Sequence, residues 1–427
     1  MPIDTGRTYL QKHRFAQRQI AAPPAPDLGI VAVIPSYCEP DLARTLASLA
    51  ACELPPCAVE VIVVFNTPAR DDEAMHRRQA ESRQAAESWI RSHPTAIRYH
   101  LLDFPDLPER HAGVGLARKI GMDEAVDRLE QAGNAEGLIL CLDADSMVET
   151  NYLQEIHRAF AQNPRAEAAC IYFEHPTAGD EFEPDVYRGI VRYELFLRYY
   201  IQALRFADYP YAMHTVGSSM AVRSAAYQAQ GGMNRRKAGE DFYFLHKFIP
   251  GGQVIEINGT RVIPSPRAAD KVPFGTGRAI GNWLAGDRSY WPAYVPETFR
   301  ELKALTAAVP DAYDAPFEGL PEAVAAFLVS ENVAAQRVEI RRNVAGRAAF
   351  IKRFYQWFDG LKVLKYVHFA RDHHHPDGDI AGAASRLYEW AQGAALDLPE
   401  APDAAARALL EVYRKWDRAK TDIQSPG

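Results

Sequence analysis

The segment from Leu138 to Asn151, LILCLDADSMVETN, constrains this chain more than any other. An apolar run ends abruptly in Asp143, Ala144 and Asp145. That pattern reads as a buried strand carrying two carboxylates to the carboxyl edge of a sheet, where open α/β sheets bind ligands. Residues two apart in an extended chain point the same way, so Asp143 and Asp145 can converge on one object. A divalent cation such as Mg²⁺ suits them, because it takes hard oxygen ligands and uses one or two carboxylates together with substrate phosphates. The competing reading is structural: Asp145 or Ser146 caps a helix that begins near Glu149.

The flanking sequence alternates in the α/β manner. After an N-terminal arm and linker (1–27), ending in the helix-resistant string AAPPAPD, GIVAVIP (29–35) and VEVIVVF (59–65) read as strands. Further strands are expected near 97–102 and at 138–142, with helices over 41–51, 71–92 and 114–131. Apolar runs spaced by helices predict a mainly parallel, doubly wound sheet in a domain over 28–293. From 294 to 427 the sequence becomes rich in Ala, Leu and Glu and predicts an α-helical C-terminal region. The net charge of -7 offers no basic footprint for nucleic acid, and the five cysteines form no CxxC pair. With no apolar stretch of about 18 residues and no secretory h-region, a cytoplasmic protein without a transmembrane segment is expected. In FIKRFYQWFDGLKVLKYVHF (350–369) the apolar residues at 350, 354, 357, 358, 361 and 364 follow helical spacing. This stripe either packs on the core or lies peripherally on the inner face of a membrane. The tract His373, His374, His375 is expected as a surface turn before Pro376.

Ligand chemistry in such a sheet comes from its loops. The first strand runs into Pro35, Ser36, Tyr37, Cys38, Glu39 and Pro40, and the second into Asn66, each of which also has a plain turn-forming role. A second acidic constellation lies in QGGMNRRKAGEDF, where a polar loop (Asn234, Arg235, Arg236, Lys237) leads to Glu240 and Asp241. These carboxylates begin an apolar helix over 242–248. They either complement its dipole or include a general base.

Taken in order, VIPSYCEP, VVFN, GVGLARKIG, CLDADS and QGGMNRRKAGEDF resemble the family 2 glycosyltransferases of the GT-A fold, over about residues 29–290. The resemblance implies a GT-A-like sheet and an inverting, metal-dependent transfer from a nucleoside-diphosphate sugar to a hydroxyl acceptor, using Mg²⁺ or Mn²⁺. It places Pro35, Tyr37, Glu39 and Asn66 at the nucleoside, Arg118 at the diphosphate or donor sugar, and Asp143 near ribose and metal. Asp145 becomes the direct metal ligand, Asp241 the base, and Glu240 the neighbour that positions the acceptor. Gly217, Ser218 and Ser219 would let the acceptor approach the backbone, with His214 near a sugar hydroxyl, while Arg267, Lys271 and Arg278 would close over the diphosphate. Cys38 and Lys119 each stand where the family has Asn, and Asn66 stands where it has Asp, which leaves the nucleobase open. The acceptor, whether saccharide, lipid-linked or small molecule, is not legible. Two alternatives stay open: an inactive sugar-nucleotide-binding scaffold, and a sugar nucleotidyltransferase, which should carry a Gly-rich, Arg-containing loop where this chain has PSYCEP.

Overall fold

β-Branched and other apolar residues concentrate where strands form, and Gly and Pro punctuate them. The computed structural model describes residues 5–269 and 275–419. The strands are β1 (Leu28–Ser36), β2 (Ala58–Pro68), β3 (Arg98–Leu107), β4 (Leu138–Cys141), β5 (Met147–Val148), β6 (Ala168–Phe173), β7 (Met220–Arg223) and β8 (Val254–Ile263). They form one sheet in the order β3-β2-β1-β4-β7-β6-β8-β5. β3, β2, β1 and β4 run parallel, as do β6 and β8, whereas β7 is antiparallel to both of its neighbours. A doubly wound, mainly parallel sheet with a helical C-terminal extension therefore forms, as the sequence predicts. Because β2, β1 and β4 are adjacent, Asn66 near the end of β2 and the turns holding Tyr37-Glu39 and Asp143-Asp145 come side by side.

The helices preceding and crossing the sheet are α1 (Thr5–His13), α2 (Leu42–Ala50), α3 (Glu73–Ser92), α4 (Val114–Gln131), α5 (Tyr152–Gln162), α6 (Pro184–Phe206), α7 (Ser224–Ala229) and α8 (Glu240–Leu245). Those following are α9 (Thr276–Ala285), α10 (Pro296–Ala308), α11 (Glu322–Ser330), α12 (Val333–Arg342), α13 (Arg347–Trp357), α14 (Gly360–His373), α15 (Ile380–Gln392) and α16 (Pro402–Arg418). The expected boundaries at 27/28 and 293/294 do not separate hydrophobic cores. One apolar cluster includes Tyr9 of the arm, Val33 of β1, Leu195 of α6, and Phe354 and Tyr413 of the C-terminal helices. The 350–369 stripe forms two helices rather than one. Asp359 interrupts it and caps α14, its side chain accepting from Lys362 N. Phe350, Phe354 and Phe358 of the stripe are buried in the core, while Trp357, Leu361 and Leu364 are half-buried. Among the described residues, no helix is long and apolar enough to cross a membrane.

Charges as well as apolar surface join the peripheral segments to the core. Arg128 of α4 makes a two-pronged pair with Glu60 of β2 at 2.8 and 2.6 Å and also donates to the carbonyl of Ala22 in the linker. Both partners are fully buried, a setting in which an unpartnered charge is very costly. Burial alone would raise the Glu60 pKa, but His100 and Arg128 lower it to about 2. A depressed carboxylate adds stability that is complete above its unfolded value and is lost as pH falls toward the folded one. Acid denaturation should therefore remove about 3 kcal/mol between the ordinary Glu value and about pH 2. Equilibrium denaturation of wild type and Glu60→Gln across that range checks this: the variant should be less stable near neutrality and should lack this part of the acid dependence.

Candidate active site

The carboxyl edge of β1 is shaped by α3. Gln79 is buried; its amide nitrogen donates to Ser36 O at 2.9 Å and its oxygen accepts from Cys38 N. This clamp holds Cys38 at φ 50, a left-handed conformation that Asn tolerates better than Cys. The Tyr37 hydroxyl donates to Asp71 at 2.7 Å. Arg267 grips both oxygens of Glu39 at 2.8 and 2.7 Å and also reaches Asp41 at 2.8 Å. Sequence reasoning grouped Arg267 with a closing loop over the diphosphate but did not foresee these partners. Lys271 of that loop lies outside the described residues. Pro35 and Asn66 are buried at the ends of β1 and β2.

Asp143 and Asp145 follow β4 in a turn closed by Ser146 N donating to Asp143 O at 3.1 Å. Thr45 of α2 fixes the turn from below, its hydroxyl donating to Ala144 O at 2.8 Å. Neither acid nor Ser146 caps a helix: β5 intervenes, and α5 starts at Tyr152 after Asn151. The capping explanation for this acidic pair is thereby removed. Asp145 makes no ion pair among the described residues. Burial first, and then the charges of Asp143 and Glu39, raise its pKa to about 7, with Arg267 opposing. Such a carboxylate is stabilised by an added cation. Among the described residues there is no group of three or more His, Cys, Asp or Glu able to hold a metal. The donor set therefore fits Mg²⁺ or Mn²⁺ only where a ligand's own oxygens complete the shell, as for a diphosphate-bound ion. A cleft beside Asp145 is lined by Asp41, Arg44, Thr45, Phe182 and Pro264.

Arg118 links the two acidic segments. It is 2% exposed and donates to Asp143 at 2.5 Å and to Glu240. Burial opposes its charge, but Asp143 and Glu240 outweigh that effect and drive its pKa up. Sequence reasoning places Arg118 at the diphosphate or donor sugar; here both arms of the fork are engaged by protein carboxylates. Gly217 exists in this context because a Cβ there would lie 2.3 Å from Arg118 Nη1. Its role in the structure is to admit the guanidinium rather than an acceptor.

Glu240 and Asp241 open α8, but only Asp241 remains accessible. Glu240 is 2% exposed and turned onto Arg118, so it holds the site together rather than meeting an acceptor. Asp241 accepts from Phe242 N at 2.7 Å. Burial raises its pKa, Arg118 opposes the rise, and Asp143 adds to it. Lys119 pairs with Asp123 at 3.0 Å, away from this site. His214 lies 3.3 Å from Asp417 of α16 and is thus committed to the C-terminal helix. His246 packs against Gly360 and carries a buried, unpartnered Nδ1. His375 meets Glu301 at 2.8 Å, so the histidine tract does not gather into a metal site.

No protein-family model matches this chain, and neither does any curated protein. Among solved structures, it is similar to S. aureus TarS 1-349 in complex with UDP-GlcNAc, at 14% identity and a TM-score of 0.38, covering 92% of this chain and 89% of that one. It is also similar to the mannosyltransferase PcManGT from Pyrobaculum calidifontis in complex with GDP-Man and Mn²⁺, at 14% identity and a TM-score of 0.36, covering 97% and 95%.

Gly217→Ala should displace Arg118 from its two carboxylates. The expected loss is about 1–3 kcal/mol, the usual cost of overfilling a packed site, measured by chemical denaturation. An unchanged midpoint would mean the guanidinium is freer than its contacts imply.

Proposed function

We propose that this protein is a metal-dependent, inverting glycosyltransferase of the GT-A type, moving a sugar from a nucleoside-diphosphate sugar to a hydroxyl acceptor. The observation that carries this reading is the Arg118 bridge. It joins Asp143 of the DAD turn to the Glu240-Asp241 segment, which supports reading the first as part of a cation site and Asp241 as the base of one reacting centre.

Asp145, with the oxygen of Asp143 that Arg118 leaves free, would hold Mg²⁺ or Mn²⁺. The cation supplies electrostatic stabilisation to the departing nucleoside diphosphate. Asp241 accepts the proton of the acceptor hydroxyl as its oxygen attacks the anomeric carbon. The bond from that carbon to the diphosphate oxygen breaks on the opposite face, which inverts the configuration. Glu39 receives the ribose hydroxyls in place of Arg267, and Tyr37 and Asn66 border the nucleoside. Arg118 and Glu240 keep the two carboxylate groups at a set separation.

Calorimetric titration with a panel of nucleoside diphosphates and their sugars should show binding that requires Mn²⁺ or Mg²⁺ and is lost on chelation and in Asp145→Ala. Absence of metal-dependent binding across the panel would refute the reading. Asp241→Asn should retain donor binding and lower kcat by about 10²–10⁴, the typical worth of general-base help. An Asp241 variant that binds donor and turns over normally would point to another base, and a product of retained configuration would exclude the single displacement. A base works deprotonated, and the Asp241 pKa is raised. The acid limb of kcat/KM should therefore fall at a higher pH than an unperturbed aspartate would give, and should vanish in Asp241→Asn.

A further inference from the structure

The loop that leads into Asp241 is positively charged in a chain whose net charge is -7. The loop before α8 carries Arg235, Arg236 and Lys237 on its exposed side, and Arg110 stands exposed on the facing loop before α4. None of these cations makes an ion pair among the described residues. The start of α4 packs closely against the loop before α8. A Cβ at Gly115 would fall 2.2 Å from the Arg236 carbonyl oxygen, and one at Gly113 would lie 3.2 Å from Lys237 Cα. His111 sits among them; burial and then Arg235, Arg110 and Lys237 depress its pKa.

This rim is built, not loose. Asn234 accepts from Arg236 N at 3.1 Å and donates to the Glu240 carbonyl at 2.8 Å, coupling the cationic loop to the catalytic helix. The Arg236 guanidinium stacks 3.7 Å from the Tyr243 ring centroid. Unlike-signed charges usually intersperse on a protein surface; here Glu109 beside Arg110 is already paired with Arg70 at 2.8 Å, so the rim keeps an excess of cations whose local field attracts anions. Elsewhere in the site the acids Asp143, Glu39 and Asp41 are already met by Arg118 and Arg267, and Asp145 is left for a metal that would offset the donor diphosphate. The rim adjoins Glu240: a Cβ at Gly115 would lie 2.2 Å from the Arg236 carbonyl oxygen and 3.1 Å from Glu240 Cβ, and Glu240 is joined through Arg118 to Asp143.

We propose that the rim of Arg110, Arg235 and Lys237 binds the acceptor through a negative group, a phosphate or carboxylate carried near the hydroxyl that receives the sugar. This rests on the transferase reading above. Holding that group beside the residues just before Asp241 orients the neighbouring hydroxyl toward the base, and the field draws such acceptors in preference to neutral ones.

The test is calorimetric titration of the full chain, with and without nucleoside diphosphate and Mn²⁺. The probes are glycerol phosphate and glucuronate, set against their neutral counterparts glycerol and glucose. Wild type should bind the anionic probes and not the neutral ones, and added salt should weaken that binding. Arg235→Gln/Lys237→Gln should weaken it about tenfold or more, the worth of one lost charge-assisted hydrogen bond, with nucleotide affinity unchanged. Equal binding of neutral and anionic probes would overturn the proposal. So would a matching loss of nucleotide affinity in the double variant, which would make the rim part of the donor site. If wild type binds the anionic probes selectively but no nucleotide under any condition, the anion site stands and the transferase reading fails.

Discussion

The buried guanidinium of Arg118 is the constraint on which the rest of the site depends. A charge with almost no exposure persists only where opposite charge meets it, and here Asp143 and Glu240 take its two terminal nitrogens from segments far apart in sequence, while its Nε is buried without a partner. Satisfying that charge fixes where β4 ends relative to α8. It also explains why Gly217 has no side chain, and why Glu240, rather than Asp241, is turned inward. Asp241 is left as the carboxylate with access to a ligand.

The same device recurs where outlying segments join the core. Glu194 and Arg198 of α6 are fully buried; Arg198 reaches Asp417 of α16 at 2.6 Å, while Arg414 of α16 returns to Glu194 at 2.8 Å. Asp417 also meets His214, three residues before Gly217, so the last described helix is tied to the loop that accommodates Arg118. At the other end of the chain, Arg14 and Arg18 pair with Asp127 of α4, and Tyr9 donates to Asp123 at 2.8 Å. The arm and the helical extension are thus anchored by forked hydrogen bonds as well as by apolar packing, and the planar guanidinium suits such geometry better than a lysine would.

Much of the sheet half was legible because its signals are local. β-Branched runs mark β1 and β2 and an apolar run marks β4, and α4 matches the expected 114–131 as glycines flank it at Gly113 and Gly133. Reading was weakest where polar residues are buried. Arg118 and Lys119 look like the solvated side of a helix, yet α4 is covered along nearly its whole length, and its charges are answered by Tyr9, Arg14, Arg18 and Glu60. No periodicity betrays a helix buried on every side, since hydrophobic spacing separates a wet face from a dry one. The stripe at 350–369 kept its helical period but concealed a break, because Asp359 acts as a cap only once the chain turns there.

The sequence by itself determined the α/β alternation, the carboxylates at the end of β4, the acidic pair after the Gly-Gly loop and the helical character of the C-terminal region. Each of these depends on neighbours within a turn or a strand. Only the tertiary structure decided which carboxylates are engaged and which are left accessible. Arg118 takes Asp143 and Glu240, Arg267 takes Glu39 and Asp41, and Asp145 and Asp241 are left without a cationic partner among the described residues. Pairing is a property of distance and burial in three dimensions, and residues as far apart as Glu39 and Arg267 carry no local mark of it.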